Sequence, residues 1–160
     1  MKQGALRERS GEHPLGDTSQ LIILVVFALV WVSDSFVLHA TTFLSSHVPN
    51  FLCYLVTVFL VAVAVYLSFT SHVVVRAERP SEVVESGGFK YVRHPLYLAA
   101  MLGYLAAAIS SLSLASLALL IPIFVAYNYL ATYEEKLLGI KFGERYQEYA
   151  KRTGKWLPRL

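Results

Sequence analysis

The chain has 160 residues, enough for one domain, and 56% of them are hydrophobic. The mean hydropathy of +0.51 lies well above the norm for a soluble globular protein. All fourteen Lys and Arg residues fall in three places, Lys2 to Arg9, Arg76 to Arg93 and the stretch after Tyr133, so the sequence pI near 9.0 reflects the positive-inside bias of a multi-spanning membrane protein and argues against a nucleic-acid partner.

Residues 1–20 are polar and contain Gly4, Gly11, Pro14 and Gly16, which reads as a flexible tail on the basic side. The apolar run that follows is too long and too late for a typical signal peptide and reads as a retained anchor. The first expected span covers residues 21–38, and a helix of that length reaches roughly 27 Å, enough for the hydrocarbon core. Asp34, between Ser33 and Ser35, comes near its far end, where it meets either the outer interface or a neighbouring helix. Solvation at the interface is the favoured expectation over a functional role. The connection over residues 39–50 carries no Lys or Arg and belongs to the side away from the basic loops.

The second expected span covers residues 51–75 and is longer than the hydrocarbon is thick, so it tilts or carries its last turns into the interface. Cys53, the only cysteine, rules out an intrachain disulfide or a thiolate metal cluster and reads as a small buried hydrophobe. His72 reads as an interfacial histidine, since nothing nearby completes a metal set. A loop over residues 76–94 then brings Pro80 and the Gly87-Gly88 pair. Those glycines let the backbone turn sharply and approach a ligand closely.

Pro95 suits the first turn of a third helix over residues 95–110. Ala99, Gly103 and Ala107 repeat at four-residue spacing there, a small-residue stripe that invites close approach by another helix. Ser110, Ser111 and Ser113 mark a tight turn into a fourth helix, residues 114–133, with Pro122 as an expected kink. The expected fold is therefore all-α and polytopic: four transmembrane helices over residues 21–133, both termini cytoplasmic, and a C-terminal amphipathic cytosolic helix over residues 134–160. In that last segment Glu135, Leu138, Phe142, Tyr146 and Tyr149 share one face, Lys141, Glu144, Glu148 and Lys151 face solvent, and Gly143 bends the helix.

Hairpin topology brings Arg93, His94 and Tyr97 to the same depth as Tyr133, Glu134 and Glu135. The group offers a cation for a carboxylate, aromatics to stack on a flat ring, and acids for a ribose or an ammonium group. That suits a zwitterionic, nucleotide-like cofactor. A structural polar cluster that pins the hairpin fits the same residues equally well.

Arg93-His94-Pro95-Leu96-Tyr97, preceded by Ser86-Gly87-Gly88-Phe89, resembles the Arg-His-Pro-x-Tyr motif of the isoprenylcysteine carboxyl methyltransferase family and its phospholipid methyltransferase relatives. Glu134-Glu135, the Leu138, Phe142-Gly143, Tyr146 and Tyr149 that follow, and the closing Gly154-Lys155-Trp156-Leu157-Pro158 resemble the same family's C-terminal signature. The likeness covers roughly the second half of the chain. It implies an integral membrane enzyme that takes S-adenosyl-L-methionine from the cytosol and a lipophilic methyl acceptor, a prenylated cysteine or a lipid headgroup, from the bilayer. By position it implies Val84, Phe89, His94, Pro95, Leu96, Tyr97, Glu134 and Glu135 as cofactor contacts, Arg93 and Glu135 as catalytic residues, and no metal. The family often carries an arginine about one turn before the acidic pair. Here that turn reads Tyr129-Leu130-Ala131-Thr132, which puts activity on a prenylcysteine carboxylate in question. A nicotinamide-dependent sterol-type reductase and a non-catalytic relative of the fold are the competing expectations.

Overall fold

The computed structural model describes residues 16–77 and 82–159. The expected tail up to residue 15, and Arg79 and Pro80 of the loop, lie outside the described residues. Helix α1 is Gly16–Val32 and runs on into a π-helical stretch, Ser33–Leu38, which ends where His39 turns left-handed at φ 50°. A 3₁₀ turn, Phe43–Ser46, leads to α2, Asn50–Ala77. Helix α3 is Pro95–Ser111, with Pro95 in its first turn as its fixed φ favours. Leu112 at φ 51° reverses the chain, and Ser113 caps α4, Leu114–Phe142, by accepting the Ser116 amide.

Helix α4 does not stop at Tyr133. It continues through Glu134 and Glu135 because Glu, Lys and Leu at residues 134–138 are strong helix formers, and the stop comes at Gly143, whose φ of +57° breaks the ladder. The short helix α5 follows, Glu144–Arg152. Hydropathy marks the end of the apolar part of α4. Propensity marks the end of the helix. About 20 residues fill the hydrocarbon core, and the nine residues of α4 beyond Tyr133, the acidic pair among them, exceed that length.

Among the described residues three helical stretches are long and apolar enough to cross a bilayer: Asp17–Leu38, Asn50–Val75 and Leu114–Phe142. Helix α3 is apolar but shorter, at 17 residues. Phe51, Val58, Phe59 and Phe69 of α2 lie open on its outer face, Phe69 with 70% of its surface exposed. Water does not tolerate such a continuous apolar face, whereas lipid does. The chain is an integral membrane protein.

Two apolar clusters hold the bundle together. Ala64 and Leu67 of α2 close on Ala99 of α3, and Phe27 of α1 meets Tyr104, Ile123, Tyr127 and Ala108 of the α3–α4 hairpin. The small-residue stripe behaves differently along its length. Ala99 is buried against α2, but a side chain built at Gly103 would touch nothing within 4 Å. Gly103 instead lines an apolar groove of about 600 Å³ between α1 and the hairpin, with Leu24, Phe27, Trp31, Tyr104 and Tyr127. The expected close approach therefore fails at its centre, because α1 stands off there and α2 packs on the neighbouring face.

Asp34 is not solvated at the interface; it is 5% exposed. Its carboxylate accepts from the Thr41 amide at 2.9 Å, the Thr41 hydroxyl at 2.6 Å and the Ser113 hydroxyl at 2.5 Å. The π-helical widening turns both Asp34 and Ser35 inwards, and Ser35 meets Ser111 at 2.7 Å while the Trp31 indole donates to the same Ser111 at 3.2 Å. Thr41 in turn accepts from the Ala115 amide at 2.9 Å. The far end of α1 is thus stapled to the α3–α4 turn through polar groups whose alternative partner is hydrocarbon. Asp34→Ala leaves three donors without an acceptor, and thermal unfolding in detergent should show a loss of roughly 3 kcal/mol, with Asp34→Asn losing less. An Asp34→Ala chain as stable as the wild type would contradict the staple.

Candidate functional site

The loop into α3 is shaped by its contact with α2. Gly87 adopts φ +59°, and a Cβ there would lie 2.6 Å from the Thr70 carbonyl oxygen. A Cβ on Gly88 would fall 2.3 Å from Ser71 Oγ and 2.9 Å from Pro95 Cβ. The close approach these glycines permit in the structure is to the last turns of α2 and to Pro95. Beyond them, Val92 forms an isolated parallel bridge with Gly154, the Arg93 amide donates to the Gly154 carbonyl at 2.9 Å, and the Tyr149 hydroxyl donates to the Phe89 carbonyl at 2.7 Å. Loop, α5 and the C-terminal stretch lock together around residues 89–93.

Inside that lock sits His94, buried, immediately before α3. Its Nε2 lies 3.1 Å from Glu135 Oε1 and its Nδ1 3.6 Å from Glu134 Oε2. Successive residues on a helix point about 100° apart, yet both carboxylates reach the same ring because it stands between them. Arg93 donates from Nε to Glu135 at 2.8 Å and from Nη1 to the carbonyls of Ala150 at 2.8 Å and Thr153 at 3.0 Å. The Tyr97 hydroxyl donates to Glu134. Its ring stacks on His94 with centroids 5.7 Å apart, and Trp156 lies 5.8 Å from His94 on a tilt.

Of the residues singled out in the sequence, Arg93, His94, Tyr97, Glu134 and Glu135 converge. Pro95 is buried under Gly88, Phe89 engages Tyr149 through its backbone, and Val84 and Leu96 are partly buried. Four further residues, to which the sequence assigns no role in the site, join it. Lys155 Nζ donates to Thr132 Oγ1 at 2.7 Å and lies 3.9 Å from Glu135 Oε2, while the Trp156 indole donates to Asn128 Oδ1 at 3.1 Å. Asn128, Thr132 and Glu135 recur at four- and three-residue spacing on one face of α4, the one sequence signal that would have found the polar half of this contact. A cation thus stands beside the turn of α4 that precedes the acidic pair, delivered from the C-terminal stretch.

The charges are mutually dependent. Burial pulls the His94 imidazole down, but the facing carboxylates of Glu134 and Glu135 outweigh it and hold its pKa above the ordinary 6.5. A neutral ring donates from one nitrogen only, whereas both nitrogens here face an acceptor. Burial lowers the Lys155 ammonium, against the opposing pull of Glu135.

The family described as phospholipid methyltransferase has a model that matches residues 45–145. That is well over half of the chain, and the chain belongs to this family. The matched stretch includes the Gly-Gly turn, Arg93 to Tyr97 and the acidic pair. No curated protein and no solved structure matches the chain.

Because the His94 pKa is raised on folding, the imidazolium's contribution to stability is complete below about pH 6.5 and disappears as pH rises through the raised value. The unfolding temperature of the wild type in detergent should therefore fall towards that of His94→Asn as pH is increased from 6.5. A gap between the two that widens with pH would contradict this protonation state.

Proposed function

We propose that this member of the phospholipid methyltransferase family binds S-adenosyl-L-methionine among Arg93, His94, Tyr97, Glu134 and Glu135 and methylates a lipophilic acceptor drawn from the bilayer. The observation that carries the reading is the junction of a polar cluster with an apolar groove. Tyr127 lines the groove, packs on Tyr97 with centroids 5.2 Å apart, and Tyr97 in turn bonds Glu134. A water-soluble cofactor and a lipid acceptor need such adjoining chambers, one polar and one apolar.

The residues fit the cofactor. Glu134 and Glu135 suit its ammonium or ribose hydroxyls, the rings of His94, Tyr97 and Trp156 suit a flat base, and Arg93 and Lys155 suit a carboxylate. Such a cofactor supplies a methyl carbon made electrophilic by its positive sulfur. The chain's part is to align the acceptor's lone pair with that carbon, exclude water, and remove any proton that obstructs the lone pair. For an amine acceptor, Glu134 is the better base. Glu135 is held by Arg93, His94 and Lys155, whereas Glu134 meets only His94 and the Tyr97 hydroxyl in the contacts above. Arg93 donates to Glu135, Ala150 and Thr153, and we assign it to docking the C-terminal stretch.

The acceptor we infer is the amine of a phospholipid headgroup, in keeping with the family. A prenylated cysteine carboxylate is the second reading, favoured by Lys155 beside the turn where the arginine is missing; it needs an orienting cation and no base. We read α3 as a fourth span, with both termini on the cytoplasmic face. The Asp34 staple supports this, since it ties the far end of α1 to the α3–α4 turn and so puts those two ends on one side.

Calorimetry on the detergent-solubilised chain should show saturable binding of S-adenosylhomocysteine, weakened about tenfold or more by His94→Ala and by Glu135→Ala. Binding of NADPH in its place would sink the methyltransferase reading in favour of a reductase.

A further inference from the structure

The α5 face turned towards the site carries Tyr146, 6% exposed, with its ring centroid 6.1 Å from that of Tyr149. The two tyrosines differ in one respect. The Tyr149 hydroxyl donates to Phe89, whereas the Tyr146 hydroxyl is, among the described residues, the buried side-chain polar atom with no hydrogen-bond partner. Native proteins rarely retain such a group without a use for it, since a buried hydroxyl loses its water and gains nothing in return.

The geometry gives that use a direction. Ala150 is four residues beyond Tyr146 and therefore shares its face of α5, and the Ala150 carbonyl accepts Arg93 Nη1 at 2.8 Å. The last turn of α5 therefore meets Arg93, and Glu135, Arg93 and Glu134 are the charged groups that act on the Tyr146 phenol. Burial pushes the Tyr146 phenol up, Glu135 and Glu134 add to this, and Arg93 opposes it, so it is a donor at any physiological pH. Arg93 and Lys155 stand against Glu135, and His94 lies 3.1 Å from Glu135 and 3.6 Å from Glu134, so the cluster holds cationic donors that an incoming anion can meet.

We propose that Tyr146 is a ligand-binding residue, its hydroxyl donating to an anionic oxygen of the molecule held in this site, namely the carboxylate at the amino-acid end of the cofactor. This rests on the cofactor reading given above. A phosphate oxygen of the acceptor lipid has the same chemistry and is the other source of such an oxygen.

Tyr146→Phe removes the hydroxyl and preserves the ring. On the full chain in detergent, the ligand-free unfolding temperature of Tyr146→Phe should equal or exceed the wild type's, because the atom removed has no partner to lose. Its Kd for S-adenosylhomocysteine should rise roughly tenfold, with no change for methylthioadenosine, which has the same nucleoside and no carboxylate. An unchanged Kd with a several-fold rise in KM for phosphatidylethanolamine would support the same donor acting on the lipid phosphate. A lower ligand-free unfolding temperature, an equal loss for both nucleosides, or no change in Kd and KM would overturn the proposal. Wild-type chain that binds neither nucleoside would instead remove the cofactor reading, and this one with it.

Discussion

The end of the molecule that carries the acidic pair depends on one carboxylate. Glu135 meets Arg93 at 2.8 Å, His94 at 3.1 Å and Lys155 at 3.9 Å, and these three come from the loop, the start of α3 and the C-terminal stretch. Removing such a group leaves Arg93, Lys155 and the His94 ring without the acceptor they share in a partly dry setting, which is far more damaging than losing a surface ion pair. The same convergence fixes His94 between Glu134 and Glu135 and sets Tyr97 against Glu134. Structural pinning and ligand binding are therefore not rival uses of these residues, because the pinning is what gives the donors and acceptors fixed positions.

The opposite end is held by a second, smaller polar knot around Asp34. Between the two knots α1 touches the hairpin through Phe27 and the rings near it, and stands off at Gly103, where the groove opens. Polar contacts fix a helix bundle in a membrane at particular depths, since lipid competes with protein for apolar contacts but not for hydrogen bonds. That division leaves the apolar middle free to form a groove without loosening the fold.

Much of this was legible in the sequence, and what was not has physical reasons. Hydropathy located the helices, and the hairpin turn at Ser110 to Ser113 was enough to bring Arg93, His94 and Tyr97 opposite Glu134 and Glu135. The end of α4 was misplaced because hydropathy drops at Tyr133 while helix propensity persists to Phe142. Asp34 was read as solvated because nothing local reveals that Thr41 and Ser113 come to meet it. Gly87 and Gly88 signal close approach without saying to what, and the structure sets them against Thr70, Ser71 and Val74 of α2 and against Pro95. Lys155 and Trp156 stand in the C-terminal signature, but their partners were hidden for a related cause: residues 153–159 are irregular, carry no periodicity, and reach Asn128 and Thr132 only through the fold. Tyr146 and Tyr149 look equivalent on the helical stripe, and only the hydrogen-bond pattern separates them.

The most direct measurement is methyl transfer itself. Purified chain in liposomes containing phosphatidylethanolamine, given S-adenosylmethionine labelled in its methyl group, should place label in the extracted phospholipid headgroup, and Glu134→Gln should reduce the rate. Label that stays out of every lipid and out of an added prenylcysteine, although the cofactor binds, would contradict the central claim that this polar cluster and its groove together form a methyl-transfer site.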